Sequence, residues 1–256
     1  MADPKPSRRE RLRAEAAQEI KTIALRHVAE KGKAAVSLRA IAREMGMTAG
    51  AIYSYYDTRD DLITALVADV YNSLAQALED AVAAAPPGPV AKVVAYGHAY
   101  RDWAVANPHE FRLVYGDPAP GYQVPEQGPA ADAEHRACTA LTGVVVEAWP
   151  WAQRLHAESG YAWEDYDPDF AATVRAAFPD LQPAAVAVAL RLWGRLHGLV
   201  SLEIYGHLRP QVQDPDELYR AELLDLTHWL GLAPVAAAKS VPVAAAKGVP
   251  VTAATE

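Results

Sequence analysis

The chain has 256 residues, a single cysteine and a formal net charge of −8. One cysteine, Cys138, excludes an internal disulfide framework and a cysteine-based metal cluster. The sequence has no run of about 18 apolar residues and no apolar signal region at its polar N-terminus, so we expect a cytoplasmic protein that does not enter a membrane.

The charge is divided unevenly along the chain. Residues 1–60 contain 12 Lys and Arg against 8 Asp and Glu, whereas residues 61–256 contain 12 against 24. A basic excess is what phosphate binding requires, and an acidic surface is repelled by DNA. We therefore expect a DNA-binding N-terminal domain and an acidic remainder that lies away from the DNA.

A basic arm and a long helix are the first predicted elements. The arm covers residues 1–7, and the helix runs from Ser7 to Lys31, where Gly32 ends it. Arg8 and Arg9 lie at its start and are candidates for phosphate contacts. Apolar residues at helical spacing predict a buried stripe. Its members are Leu12, Ala16, Ile20, Ile23, Ala24 and Val28.

Residues 36–57 indicate two short helices joined by a glycine turn. Ser37 can cap the first helix and Thr48 the second, while Gly46 lies where a helix ends in a left-handed residue. Ile52 would face inward. Two helices with a tight glycine turn are typical of the helix-turn-helix unit, whose second helix fits the major groove of DNA.

The rest of the chain predicts more helices. A fourth helix starts at the capping-box pattern Thr58 to Asp61 and carries leucine or valine every four residues, from Leu62 to Leu78. Further helices are expected at 89–106, 108–116, 130–157, 168–178, 183–208 and 215–231. The last of these is followed by residues 233–256, whose Pro/Ala repeat predicts a disordered tail.

These elements predict an all-α fold with two domains. Residues 8–57 would form a three-helix helix-turn-helix domain, and residues 58–232 a helical ligand-binding and dimerisation domain. The helices at 183–208 and 215–231 are apolar on most sides, so they form either internal core or a four-helix bundle with a second copy. We favour the homodimer, with Leu226 at its interface, because such DNA-binding proteins bind two half-sites.

Residues 8–80 resemble the tetracycline-repressor (TetR) family of bacterial regulators. The residues that carry the resemblance are Ile41-Ala42, Gly46, Ala51-Ile52-Tyr53, Tyr55-Tyr56, Arg59 and Leu62. Residues 89–231 resemble a subgroup of this family with a Trp, His-Gly signature, here Trp193 and His197-Gly198. The resemblance implies a dimer that binds double-stranded DNA at a near-palindromic operator and responds to a small-molecule effector.

The DNA contacts are expected on the first domain. The second helix of the helix-turn-helix begins with small residues that would touch thymine methyl groups. They are Thr48, Ala49, Gly50 and Ala51. Arg39, at a position that contacts bases in family members, is the candidate for guanine recognition. Phosphate contacts are expected from Ser37, Thr48, Tyr53, Tyr55 and Arg59, and Ser54 is a further expected DNA contact.

Aromatic residues concentrate in the second domain and predict an apolar pocket with polar tips. The candidate ligand-binding residues are Tyr96, Tyr100, Trp103, Phe111, Tyr115, Tyr122, Trp149, Trp193 and His197. Taken singly, each is more often a core residue than a ligand contact. The expected ligand is mostly apolar, with a polar or anionic end that meets His197, Arg101 or tyrosine hydroxyls.

Other classes of function remain alternatives. The chain could be a helical small-molecule-binding protein or an enzyme whose helix-turn-helix has no regulatory use, or an architectural protein that coats DNA. The sequence has no nucleophile–base arrangement, phosphate-binding glycine loop or set of metal ligands, and the acidic motif near Asp167 is interpreted as the capped start of a helix. We therefore expect a transcriptional regulator, most simply a repressor, without enzymatic activity or cofactor.

Overall fold

The computed structural model describes residues 7–117, 121–158 and 160–232. Within these ranges the chain forms ten α-helices and two short 3-10 helices, without a β-strand. The all-α fold class is therefore confirmed. The predicted tail over 233–256 and the first six residues of the predicted arm lie outside the described residues.

Three helices form the N-terminal head: α1 (Arg8–Lys31), α2 (Leu38–Glu44) and α3 (Ala49–Ile52). Ser7 starts α1 with a capping box, because its hydroxyl accepts from the Glu10 N–H at 3.2 Å and its own N–H donates to the Glu10 carboxylate at 2.6 Å. The reciprocal bonds satisfy two backbone donors that the first turn of a helix would otherwise leave unpaired.

The turn between α2 and α3 follows the prediction. The hydroxyls of Ser37 and Thr48 accept hydrogen bonds from backbone N–H groups three residues later, at 3.4 and 3.2 Å. Gly46 has φ +66°, a left-handed conformation that costs glycine little. Ile41 and Ile52 are fully buried, so the two short helices share one core.

The predicted buried stripe of α1 is wrong at its N-terminal end. Ile20, Ile23, Ala24 and Val28 are buried, but Leu12 is 55% exposed and Ala16 is only half-buried. The reason is length: α1 has 24 residues, whereas α2 has 7 and α3 has 4. The two short helices therefore cover only part of α1.

Helix α4 (Arg59–Ala84) joins the head to the C-terminal part of the chain. Its predicted capping box is present, with the Thr58 hydroxyl accepting from the Asp61 N–H at 3.0 Å and the Asp61 carboxylate accepting from the Thr58 N–H at 2.9 Å. The predicted apolar residues are each at most 3% exposed: Leu62, Leu66, Val70, Leu74 and Leu78. The helix thus belongs to the core along most of its length.

The C-terminal part adds six helices: α5 (Pro89–Ala106), α6 (Pro108–Tyr115), α7 (Pro129–His156), α8 (Pro168–Ala177), α9 (Pro183–Ile204) and α10 (Pro215–Trp229). Helices α4 and α7 pack along each other, α5 packs against both, α9 packs against α7 and α5, and α10 lies on α5 and α9. The α8 cap is as predicted, because the Asp167 carboxylate accepts from the Asp169 and Phe170 N–H groups at 3.1 Å.

Helices α9 and α10 each have a buried and an exposed apolar side. In α10, Leu226 is fully buried, which contradicts its prediction as an interface residue, whereas Leu224 is 60% exposed. Residues two apart on a helix point to nearly opposite sides.

Helix α9 is long and apolar enough to cross a membrane. This is weak evidence for a membrane span, because the core helix of a soluble protein meets the same criterion. Helix α9 packs on α5, α7 and α10 and carries Arg191 and Arg195.

Arg101 is not the ligand contact that we expected. Its guanidinium donates to both carboxylate oxygens of Glu203 at 2.8 Å and to Asp216 at 2.8 Å, and its side chain is 10% exposed. The arginine lies on α5, Glu203 on α9 and Asp216 on α10. This ion-pair network therefore joins three helices inside the C-terminal part.

Gly97 allows α5 and α10 to approach closely. A Cβ atom there would lie 2.2 Å from Cδ2 of the buried Leu223, and the Gly97 carbonyl accepts from the Tyr219 hydroxyl at 3.0 Å. We expect Gly97→Ala to lower the free energy of unfolding by about 1–2 kcal/mol, since overpacking outweighs the gain of alanine in a helix. Urea unfolding measures this value. Gly143→Ala, whose nearest atom would be 4.0 Å away, is the control, and an equal loss there would contradict the explanation.

Candidate functional site

The start of α3 presents only small side chains. Ala49 and Gly50 are exposed, Ala51 is half-buried, and no atom lies within 4 Å of a Cβ added at Gly50. The backbone of this helix can therefore approach another surface closely. That is the geometry expected of a short helix that enters the major groove.

Polar residues surround this small surface. Arg39 is exposed in the first turn of α2, and Tyr53 is 41% exposed directly after α3. Ser37 and Thr48 use their hydroxyl oxygens as helix caps. A hydroxyl that accepts one bond keeps its own proton, so both can still donate to a phosphate oxygen.

Arg13 is one of the basic residues expected near the start of α1, but its contacts were not predicted. Its guanidinium lies 4.9 Å from the centre of the Tyr55 ring and donates to the Ser54 carbonyl at 2.5 Å. These contacts attach α1 to the segment after α3 across 41 positions of sequence, a distance at which spacing gives no signal. Arg8 and Arg9 line an open groove beside this contact, and their contact with DNA stays a prediction.

Arg59 points into the head as well as toward solvent. One guanidinium nitrogen donates to the Lys33 carbonyl at 3.0 Å, and Nε is buried without a partner. The side chain is 30% exposed. Arg59 therefore holds the start of α4 on the 3-10 helix Lys33–Ala35, and its predicted phosphate contact depends on the remaining exposed part of the group.

A cavity of about 600 Å³ lies in the C-terminal part, between α4, α5, α6, α7, α8 and α9. Five predicted ligand-binding residues line it: Tyr96, Tyr100, Tyr115, Trp193 and His197. The lining also includes Tyr71, Leu74, Leu78, Val114, Glu134, Ala137, Cys138, Leu141, Thr142, Phe170, Val186, Ala189 and Leu190. A mostly apolar cavity with five of the nine predicted residues in its lining is therefore present, and its binding of a ligand stays a prediction.

His197 is the centre of the aromatic cluster. Its Nδ1 lies 2.8 Å from the Tyr100 hydroxyl and its Nε2 lies 3.1 Å from the Ser201 hydroxyl. The Phe111 ring stacks on it at 5.4 Å, and the Tyr115 ring meets it edge-on at 4.7 Å. Both ring nitrogens are therefore paired. Burial lowers the pKa of His197, which favours the neutral imidazole at pH 7.

Four predicted ligand-binding residues are not part of this lining: Trp103, Phe111, Tyr122 and Trp149. The Trp103 indole donates to the Ser73 hydroxyl at 3.1 Å, because this side of α5 faces α4. The Tyr122 hydroxyl lies 3.1 Å from that of Thr64, beside a different cavity. These rings were grouped because aromatic residues concentrate in this part of the chain. Phe111 still stacks on His197, whereas Trp103 and Tyr122 have polar partners on α4.

Tyr71, Glu134 and Cys138 are lining residues that the sequence reasoning missed. The Tyr71 hydroxyl donates to the Glu134 carboxylate at 3.4 Å. Cys138 still reaches solvent, but desolvation by the surrounding helices raises the pKa of its thiol to about 11, so the reactive thiolate is scarce at pH 7. Tyr71 lies one turn before the predicted apolar residue Leu74, a spacing that could have indicated its place in the core.

A second cavity, of about 310 Å³, lies where the head meets α6. Lys33 of the head lines it and donates to the Gly116 carbonyl at 3.4 Å, and burial lowers the pKa of its amine. Tyr71 and Val114 line both cavities. The two side chains therefore form a wall between the larger cavity and the junction with the head.

The chain matches known proteins along both of its parts. Residues 22–66 match the family described as bacterial regulatory proteins, tetR family, and residues 93–226 match the tetracyclin repressor-like C-terminal domain. The HTH-type transcriptional regulator Rv1816 of Mycobacterium tuberculosis is 32% identical over 206 residues, which cover 77% of this chain and 84% of that protein. The name of this relative and the description of the N-terminal family both refer to regulators, and the C-terminal domain is described as repressor-like.

Solved structures agree with these matches. The structure of SCO4313, described as a regulatory protein, is 32% identical and covers 87% of this chain and 100% of its own, with a TM-score of 0.68. A protein of unknown function from Rhodococcus sp. RHA1 is 25% identical, with coverages of 85% and 95% and a TM-score of 0.62. With a helix-turn-helix head and matches along both parts, this chain is a DNA-binding transcriptional regulator and belongs to the tetR family.

Proposed function

We propose that the protein is a cytoplasmic homodimer that represses transcription at a near-palindromic operator and releases the DNA when a small molecule enters the larger cavity. The observation that carries this proposal is the path of α4. Arg59, at its first residue, is bonded to the head through the Lys33 carbonyl, and Tyr71, at its middle, lines the larger cavity. One helix therefore contacts both candidate sites.

The exposed sides of α9 and α10 support the homodimer. Both helices expose leucines there: Leu190, Leu202, Leu218 and Leu224. Gly194 and Gly198 lie one turn apart on the exposed side of α9. No atom lies within 4 Å of a Cβ added at either position. Leucines around a small-residue surface allow another helix to pack closely, so two copies of α9 and α10 can form a four-helix bundle.

The contacts of α4 also suggest how ligand binding would reach the DNA. A molecule that displaces Tyr71 or Val114 changes the wall beside Lys33, and α4 carries the change to the head. Movement of the heads would alter the distance between the two recognition helices, which must match the half-site spacing. Coupling of this kind is typically about 1–3 kcal/mol and acts equally in both directions.

Mapping the DNA bound by the protein across its genome, followed by binding assays with the recovered site, tests the proposal. Candidate compounds are then titrated with and without operator DNA. We expect a two-fold symmetric site and a ligand whose affinity falls when the operator is bound. Binding without sequence preference would contradict the operator, and equal ligand affinity in both titrations would contradict the release mechanism.

Arg39 is expected to recognise a base. Arg39→Ala should remove about 1–3 kcal/mol of discrimination at one position of each half-site, because a guanidinium binds guanine through two hydrogen bonds. Binding to the operator and to its point variants, at one fixed salt concentration, measures this preference. Tyr53→Phe is the comparison and should weaken all sequences alike, since its hydroxyl is assigned to a phosphate. An unchanged preference in Arg39→Ala would remove the assignment.

A further inference from the structure

We propose that the larger cavity takes a lipophilic organic cation, whose positive charge lies beside the Glu134 carboxylate and against the surrounding aromatic rings. This inference rests on the proposed function, in which that cavity is the effector site. We expected a mostly apolar ligand with a polar or anionic end, whereas the ligand proposed here carries a positive charge. The argument depends on which charged groups the lining contains.

Glu134 is the one formally charged residue among those that line the cavity in the described part of the chain. An anion would need a cation in the wall, and the nearby arginines have other partners. Arg101 is bonded to two carboxylates within the core, and Arg136, on the same helix as Glu134, is bonded to Glu79. The lining thus has a negative charge without a positive one.

The carboxylate of Glu134 keeps most of its bonding capacity. Tyr71 donates to it across 3.4 Å, a long hydrogen bond that offsets little of its charge. An ionised carboxylate has two oxygens and can accept several bonds. Glu134 is half-buried against a mostly apolar lining, so its field is screened less than at the open surface and favours a cation over an anion.

Aromatic faces provide the second half of the site. The Tyr71 and Tyr115 rings are perpendicular at 6.2 Å, and the Trp193 ring lies 6.3 Å from that of Tyr115. These three rings form adjoining parts of the wall that also contains Glu134. The faces of tyrosine and tryptophan attract organic cations, most strongly when the cation has lost its water. A volume of about 600 Å³ accommodates several rings.

The remaining polar groups of the lining are neutral. His197 is paired at both ring nitrogens, with Tyr100 and with Ser201, and carries no charge at pH 7. Lys33 lies in the second cavity, beyond Tyr71 and Val114, where it donates to the Gly116 carbonyl. A ligand confined to the larger cavity therefore meets one charge, and that charge is negative.

Two ions of matched shape and opposite charge test the proposal. Tetraphenylphosphonium and tetraphenylborate are titrated into the full-length protein by calorimetry at physiological ionic strength. We expect the cation to bind at least about tenfold more tightly than the anion, a difference of about 1.4 kcal/mol. Glu134→Gln should weaken cation binding by about tenfold as well. Glu147→Gln, a change on the exposed side of the same helix, should leave it unaltered.

Several results would overturn the inference. They are equal or tighter binding of the anion, an unchanged cation affinity in Glu134→Gln, and failure of both tetraphenylphosphonium and the smaller phenyltrimethylammonium to bind. Operator binding is measured on the same samples by fluorescence polarisation. Specific DNA binding without cation binding removes this inference and leaves the regulator, whereas cation binding without specific DNA binding removes the proposed function and leaves the cation site.

Discussion

Arg101→Ala is expected to lower the free energy of unfolding by about 3–5 kcal/mol, because it leaves the largely buried Glu203 carboxylate without its partner, whereas Asp216 keeps an ion pair with Arg220. Glu203 loses a two-pronged ion pair and Asp216 loses a single one. Their side chains are 18% and 34% exposed, so Glu203 carries most of the effect. Helices α5, α9 and α10 also lose the group that joins them.

Thermal and urea unfolding of the purified variant give the size of this loss. Arg136→Ala is the matched control, since Arg136 also binds a carboxylate, that of Glu79, but both side chains are exposed by more than a third. An ion pair at the surface contributes about 0–1 kcal/mol. If the two variants lost equal stability, burial would not be what makes the Arg101 network important.

Leu224→Asp should convert the proposed dimer to a monomer while leaving each protomer folded. The side chain is 60% exposed in the protomer, so aspartate there is harmless until a second copy covers it. A buried charge without a partner costs about 3–5 kcal/mol, which weakens association by more than a hundredfold. Because two heads must bind together, operator affinity should fall with it.

Leu226→Asp separates this effect from unfolding. Leu226 is fully buried in the protomer, so the same substitution two residues along should reduce helicity and the unfolding midpoint. Sedimentation and circular dichroism of both variants distinguish the cases. A Leu224→Asp protein that stays dimeric and binds the operator normally would place the dimer interface elsewhere.

The ends of the helices were predictable because their causes are local. Asp167 followed by Pro168, and Thr58 three residues before Asp61, satisfy backbone groups within one turn. The same holds for Gly46, whose left-handed conformation ends α2 whatever lies around it. Each signal is complete within about four residues, so tertiary packing had no opportunity to override it.

The direction in which side chains face was less predictable, because it depends on neighbours distant in sequence. Leu224 and Leu226 are the same residue type on one helix, and only the position of α5 and α9 decides which is buried. Tyr96 and Tyr100 were found in the cavity because they lie four apart on α5. Glu134 was missed, since a carboxylate on a helix normally indicates a solvated side and nothing near it in sequence shows the cavity.

The length of α4 turns small angles into distances that DNA can register. Its 26 residues correspond to about 39 Å at a rise of about 1.5 Å per residue. Over that length, a tilt of about 5° around the C-terminal end of α4 displaces its first turn by about 3 Å. One base-pair step is about 3.4 Å. The same tilt moves Tyr71, at about half that distance from the pivot, through about 1.7 Å. A shift of that size beside the cavity would thus displace each head by nearly one base pair along the operator.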